Sequence, residues 1–169
     1  MSPNKIQEKI FFGGIEPPLR KEVWKFLLGY LSFGQTEAER QQTLLDRRKD
    51  YLEVRQRWVS ASELKEETDP LLLKYTEVAR KILKDVPRTD QNEEFYAGEN
   101  NPRVNEMREV LLSYAFYDPD LGYVQGMSDL LSPILCIMEH DADAFWCFVG
   151  LMAQVVRVAP CIAFFFFFG

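Results

Sequence analysis

The sequence predicts an all-α protein of several helices followed by an apolar tail. Three observations carry that prediction. Apolar residues recur at three- and four-residue steps, as in Leu71, Tyr75, Val78 and Ile82. Prolines fall where helices can start, at Pro17-Pro18 and in Asp69-Pro70. The composition, 47% hydrophobic and 14% aromatic, supplies a core and is too apolar for disorder. At 169 residues the chain is the size of one domain.

Taken in order, Pro17-Pro18 opens a helix on which Leu19, Val23, Phe26 and Leu27 form an apolar face, widened by Trp24, with Gly29 and Gly34 near its end. A longer helix is expected from about Glu37 to about Glu66. Leu44, Leu45, Tyr51, Leu52, Trp58 and Val59 form its apolar side, and the remainder is densely charged. Asp69 is placed to cap a third helix, with Pro70 at its first position, running to about Lys84. Residues 89–102 are polar and contain Gly98 and Asn101-Pro102, so they form a loop. A helix from about Arg103 to about Tyr117 follows, with Val104, Met107, Leu111 and Tyr114 on one face. Asp118-Pro119-Asp120 and Gly122 break it. The next helix covers Leu130 to Met138, with Ser128 or Asp129 as its cap, and another runs from Asp141 to Met152.

Charge and chemistry narrow the function classes. Net charge is −6, which argues against nucleic acid as a partner. Residues 1–60 hold 11 Lys/Arg against 8 Asp/Glu, and the remainder hold 9 against 18, a pattern that solvated helix faces explain. Cys136, Cys147 and Cys161 are widely spaced in apolar surroundings, which suits reduced core thiols in the cytosol rather than disulfides or zinc. The lone His140, between Glu139 and Asp141, suits a polar helix boundary, and one histidine makes a Ser-His triad or histidine metal site improbable. No G-x-x-x-x-G-K-[ST] occurs, so no nucleotide site, metal or cofactor of the chain's own is expected.

Two polar side chains stand at helix-breaking junctions. Pro87 disfavours helical geometry for Val86, so the chain is expected to turn out just before Arg88. Locally, two uses of Arg88 stay open: capping its own helix C-terminus, or projecting a free guanidinium into solvent, with Asp85 three residues earlier able to orient it. Gln125 falls near a helix N-terminus, where backbone N–H groups favour anions, and an ordinary loop glutamine is the other reading. An exposed arginine and an exposed glutamine are the groups GTP hydrolysis needs: one neutralises charge on the phosphoryl oxygens, the other orients the attacking water. Arg20 and Trp24 lie one helical turn apart and read as structural support, with Arg20 a partner for an acidic residue.

Three ordered blocks give this pattern a family. Arg20 to Trp24 is R-x-x-x-W, Ile82 to Arg88 is I-x-x-D-x-x-R, and Tyr123 to Gln125 is Y-x-Q. Together they resemble the TBC domain of Rab GTPase-activating proteins, in the branch of members fifteen and seventeen. The resemblance runs from about Ile10 to about Met152, leaving residues 1–9 as a lead-in. It implies an all-α TBC domain, a Rab-family GTPase in its GTP state as partner, and GTP and Mg²⁺ held by that partner. It aligns Arg88 with the family's arginine finger, Gln125 with its water-positioning glutamine, and Asp85 and Tyr123 with supporting positions. A cytoplasmic address, including the periphery of organelle membranes, and a part in vesicle trafficking follow from the same resemblance.

The end of the chain departs from the family pattern. Family domains continue well past this point, so a C-terminally truncated domain is expected, either active or reduced to a binding module or a non-functional variant. Residues 153–169 form an apolar tail that ends in Phe164 to Phe168, expected to promote self-association. Ala144 to Phe168 is long enough to span a bilayer, but Arg157 and Pro160 interrupt it and a mid-span arginine costs about 2.5–3.5 kcal/mol, so no stable insertion is expected.

Overall fold

A computed structural model describes residues 3–63 and 70–158, with side chains defined over 5–60 and 73–156. The described residues form seven α-helices: α1 Pro3–Gly13, α2 Pro17–Leu27, α3 Glu37–Glu63, α4 Pro70–Asp85, α5 Pro102–Tyr117, α6 Met127–Met138 and α7 Asp141–Val158. A single 3₁₀ turn, Val86–Arg88, follows α4 directly. The all-α expectation holds. The chain divides into two compact units, Leu44–Phe145 and a second made of residues up to Thr43 together with those from Trp146 onward.

The Leu44–Phe145 unit is organised around α5. Val110, Leu111, Leu112, Ser113, Tyr114 and Ala115 are all buried, so the C-terminal half of α5 is covered on every side. Asn101 caps it by accepting from the Arg103 backbone N–H at 2.9 Å, with Pro102 at the first position. Tyr51 and Phe145 pack at 5.0 Å between ring centroids, and Tyr117 meets Phe145 edge-on. The Trp58 indole N–H donates to the Ser113 hydroxyl at 2.9 Å, which satisfies two polar groups inside this core. Arg48 forks onto Asp143 with bonds of 3.0 and 2.7 Å, and Asp143 is fully buried.

In the other unit, α7 comes against the end of α2. A Cβ at Gly150 would lie 1.7 Å from the Leu28 carbonyl oxygen, so only glycine fits there. The Gln154 side chain donates to the Leu27 carbonyl at 3.0 Å, satisfying a group that the end of α2 leaves without a donor. Phe26 stacks on Phe33 at 4.9 Å and carries the Arg40 guanidinium on its face. Thr36 and Glu39 form a capping box at the start of α3: the Thr36 N–H donates to Glu39 Oε2 at 2.7 Å, and the Glu39 N–H donates to Thr36 Oγ1 at 3.3 Å. The Thr36 backbone N–H and then its hydroxyl, both donating to Glu39 Oε2, hold that carboxyl below its usual range.

Several expectations need correction. Residues 3–13 form a helix that the sequence reading did not assign. Helix α6 starts at Met127, three residues before Leu130, and Gly126 is its N-cap; neither Ser128 nor Asp129 caps it. Helix α7 continues six residues past Met152 to Val158, so the expected tail is helical at its start. Cys136 is exposed, not a core thiol, while Cys147 is buried. Residues 159–169, including Cys161 and the phenylalanine run, and Asp69 lie outside the described residues. Among the described residues no helix is long and apolar enough to cross a membrane.

Candidate functional site

The site is built on two turns of the Leu44–Phe145 unit. The first is the end of α4. Ile82 and Val86 are buried, and they fix this segment onto the core. Losing a side chain of this kind costs about 2–5 kcal/mol, so the anchor is strong. The α-helix ends at Asp85, close to the expected end at about Lys84, but the chain does not turn out before Arg88. It tightens into the 3₁₀ turn, closed by the Thr89 N–H donating to the Val86 carbonyl at 3.2 Å, and becomes extended only at Thr89 (φ −77°, ψ 124°). Pro87 sits in the first turn of that 3₁₀ segment, where its missing N–H leaves no bond unmade, so the α-helix stops before it while the helical path continues.

Arg88 is two-thirds exposed, yet its guanidinium is not free. Nε donates to the Lys84 carbonyl at 2.9 Å, and Nη2 donates to Asp85 Oδ1 at 2.6 Å. The capping reading therefore holds and the free guanidinium does not, although Arg88 stays exposed and is oriented by Asp85 as the spacing suggested. Guanidinium carries five N–H donors, and these bonds use two. The rest of the fork faces outward with its charge intact.

The second turn is Val124–Met127, closed by the Met127 N–H donating to the Val124 carbonyl at 3.1 Å. Gly126 has φ 94° and ψ −11°, while Gln125 has a negative φ. That is a type II turn, which requires glycine at its third position. Gln125 occupies the second position, exposed, one residue ahead of the α6 N-cap. Its side-chain amide makes no hydrogen bond among the described residues, unlike an ordinary loop glutamine.

Two bridges join these turns. The Tyr123 hydroxyl donates to Asp85 Oδ2 at 3.1 Å, so Asp85 binds Arg88 with one oxygen and Tyr123 with the other. The Thr89 hydroxyl lies 2.8 Å from Ser128 Oγ and 3.2 Å from the Asp85 carbonyl oxygen, and Ser128 Oγ lies 3.4 Å from the Tyr123 hydroxyl. Tyr123, Thr89 and Ser128 are each less than 7% exposed. Burial pushes the Tyr123 phenol up to about 12; the Ser128 hydroxyl opposes that rise and the charge of Asp85 adds to it.

Of the six residues singled out in the sequence, Arg88, Gln125, Asp85 and Tyr123 belong to this arrangement. Arg20 and Trp24 lie on α2, in the other unit. Arg20 donates to the Ile15 carbonyl at 3.2 Å instead of meeting an acidic side chain. Trp24 is only half-buried, and its neighbour Lys25 is the buried residue of α2, neutralised by Glu22 at 2.8 Å. Thr89 and Ser128 were missed. The only signal for them is position: each lies within three residues of a singled-out polar group. Among the described residues no group of His, Cys, Asp and Glu is placed to hold a metal.

Comparison with known proteins shows the family. TBC1 domain family member 16 of Homo sapiens is 44% identical over 155 residues, covering 92% of this chain and 20% of that protein. TBC1 domain family member 17 of Homo sapiens is 44% identical over 151 residues, covering 89% of this chain and 23% of its own length. The GTPase-activating protein gyp7 of Schizosaccharomyces pombe is 38% identical over 159 residues, covering 86% and 21% respectively. The chain thus spans about a fifth of the length of these relatives. The crystal structure of the Ypt/Rab-GAP domain of Gyp1p shares the fold, with a TM-score of 0.70 at 23% identity, covering 90% of this chain and 52% of that one. The profile of the Rab-GTPase-TBC domain matches residues 17–159, and the chain belongs to that family.

Proposed function

We propose that this chain accelerates GTP hydrolysis by a Rab-type small GTPase in its GTP state, supplying Arg88 and Gln125 in trans. The observation that carries this reading is the Asp85–Tyr123 bond, which ties the Arg88 turn to the Gln125 turn while both side chains stay exposed. Arg88 neutralises charge developing on the transferred phosphoryl oxygens. Gln125 accepts from and donates to the attacking water, holding it in line. GTP and Mg²⁺ belong to the partner. Helices of the chain position two side chains and exclude competing geometries. The reading carries with it a cytoplasmic address that includes the periphery of organelle membranes.

A second reading is favoured by one observation: two donors of the Arg88 guanidinium are already committed to the Lys84 carbonyl and the Asp85 carboxylate. On that reading it binds a Rab without activating it. Single-turnover GTP hydrolysis by a panel of Rab proteins, with the chain added stoichiometrically, separates the two. A rise in rate for at least one Rab supports activation. Binding with no rise for any member supports the second reading.

A further inference from the structure

We propose that Thr89 and Ser128 are positioning residues that set the distance between Arg88 and Gln125, an inference that rests on the activating role proposed above. The geometry is symmetrical about the two exposed side chains. Arg88 lies between Asp85 and Thr89 in sequence, and Gln125 lies between Tyr123 and Ser128. Asp85 is bonded to Tyr123 ahead of the pair, and Thr89 is bonded to Ser128 behind it. Each exposed side chain is therefore held from both flanks, and each flank is bonded to the matching flank of the other turn.

The clamp is a continuous run of polar contacts. The Thr89 hydroxyl lies within bonding distance of Ser128 Oγ and of the Asp85 carbonyl oxygen, Ser128 Oγ meets the Tyr123 hydroxyl, and Tyr123 donates to the Asp85 carboxylate, whose other oxygen takes Arg88. The run starts one residue after Arg88 and ends on its own carboxylate partner. Burial of all three hydroxyls strengthens each bond and makes a missing one costly. Remove the Thr89 hydroxyl, and the far end of the 3₁₀ turn loses its tie to α6. Ser128 then loses its partner on the Arg88 side, and the Arg88 turn is held from one side only. Misplacing a catalytic group by about 1 Å costs on the order of 100-fold in rate, so a loosened turn reports in hydrolysis before it reports in docking.

Thr89→Val keeps the shape and removes the hydroxyl. Thr89→Ser keeps the hydroxyl. Ser128→Ala removes the acceptor from the other side and serves if Thr89→Val fails to fold. The 169-residue chain carries each change, and two properties are measured. The first is single-turnover hydrolysis by a responsive Rab over a range of chain concentrations. The second is solvent exchange of the Arg88 Nε–H, followed by ¹⁵N NMR without any GTPase. Thr89→Val and Ser128→Ala should each slow the maximal rate about 10–100-fold, with the half-saturating concentration unchanged and the double change no worse than either. Both should speed Arg88 Nε–H exchange, and Thr89→Ser should restore both properties. Native rates and native exchange in Thr89→Val and Ser128→Ala would overturn the clamp. If no Rab responds to the unaltered chain, the activating role fails, and the exchange measurement still decides whether the clamp holds Arg88.

Discussion

Asp85 and Tyr123 are 38 residues apart in sequence and meet in a 3.1 Å hydrogen bond that places the Arg88 turn beside the Gln125 turn. Asp85 sits at the end of α4, and its carboxylate is mostly enclosed, at 14% exposure. A carboxylate in that position needs partners for both oxygens. Arg88 supplies one and Tyr123 the other, so the residue that orients the arginine is itself fixed by the glutamine's turn.

Tyr123→Phe should leave Asp85 Oδ2 enclosed without a donor, at a cost of about 1–3 kcal/mol. Thermal melting checks the loss, and GTPase stimulation should fall with it. The same phenol gives a pH dependence. Its folded pKa, about 12, lies above its unfolded value near 10. Its contribution to stability is therefore fully present below about pH 10 and is lost as pH rises through about 12. Burial likewise raises Tyr96 to about 12, so alkaline melting should steepen over that window. Tyr123→Phe should remove part of the slope.

Arg88→Ala should abolish stimulation of a responsive Rab, because an arginine finger is worth about 10³–10⁵ in rate. Arg88→Lys should fail as well. An ammonium cannot hold the Lys84 carbonyl and the Asp85 carboxylate and still present a planar fork outward. Circular dichroism should show both variants folded, since Arg88 is two-thirds exposed and Ile82 and Val86 carry the anchoring.

Gly150→Ala tests the close approach of α7 to α2. The added methyl would meet the Leu28 backbone carbonyl at 1.7 Å, and backbone cannot swing aside as a side chain does. Overpacking of this kind costs about 1–3 kcal/mol or more. Chemical denaturation should show a lower midpoint, although alanine is the better helix former on an exposed surface.

Arg48→Ala leaves the fully buried Asp143 without its guanidinium fork. Breaking a fully buried pair costs about 3–5 kcal/mol, and because Arg48 is 43% exposed the loss here should fall at the low end, about 3 kcal/mol. Asp143→Asn with Arg48→Met should recover much of the loss, and denaturation midpoints of the single and double variants check it.

Much of this was legible in the sequence. The four-residue steps and the Asn101-Pro102 junction located α5 and the apolar face of α4. The Asp85–Arg88 spacing gave the ion pair, because i and i+3 share a helix face. Three features were not legible. Helix α4 ends before Pro87 as expected, but a 3₁₀ turn carries the chain on through Arg88 where it was expected to turn out. Lys25 was on no expected core face, yet an ion pair with Glu22 lets its stem be covered while Trp24 stays half-open. The Thr89–Ser128 contact joins two hydroxyls 39 residues apart, and no local pattern announces a long-range polar pair.

The most direct test uses a Rab whose own switch glutamine has been replaced, so that the partner cannot orient the water itself. Single-turnover GTP hydrolysis by this Rab is measured with the chain and with Gln125→Ala. The account predicts that the unaltered chain still accelerates hydrolysis and that Gln125→Ala removes the acceleration, because the water is positioned in trans. A Rab that responds normally when its own glutamine is intact, yet is deaf to the chain once that glutamine is replaced, would contradict the account.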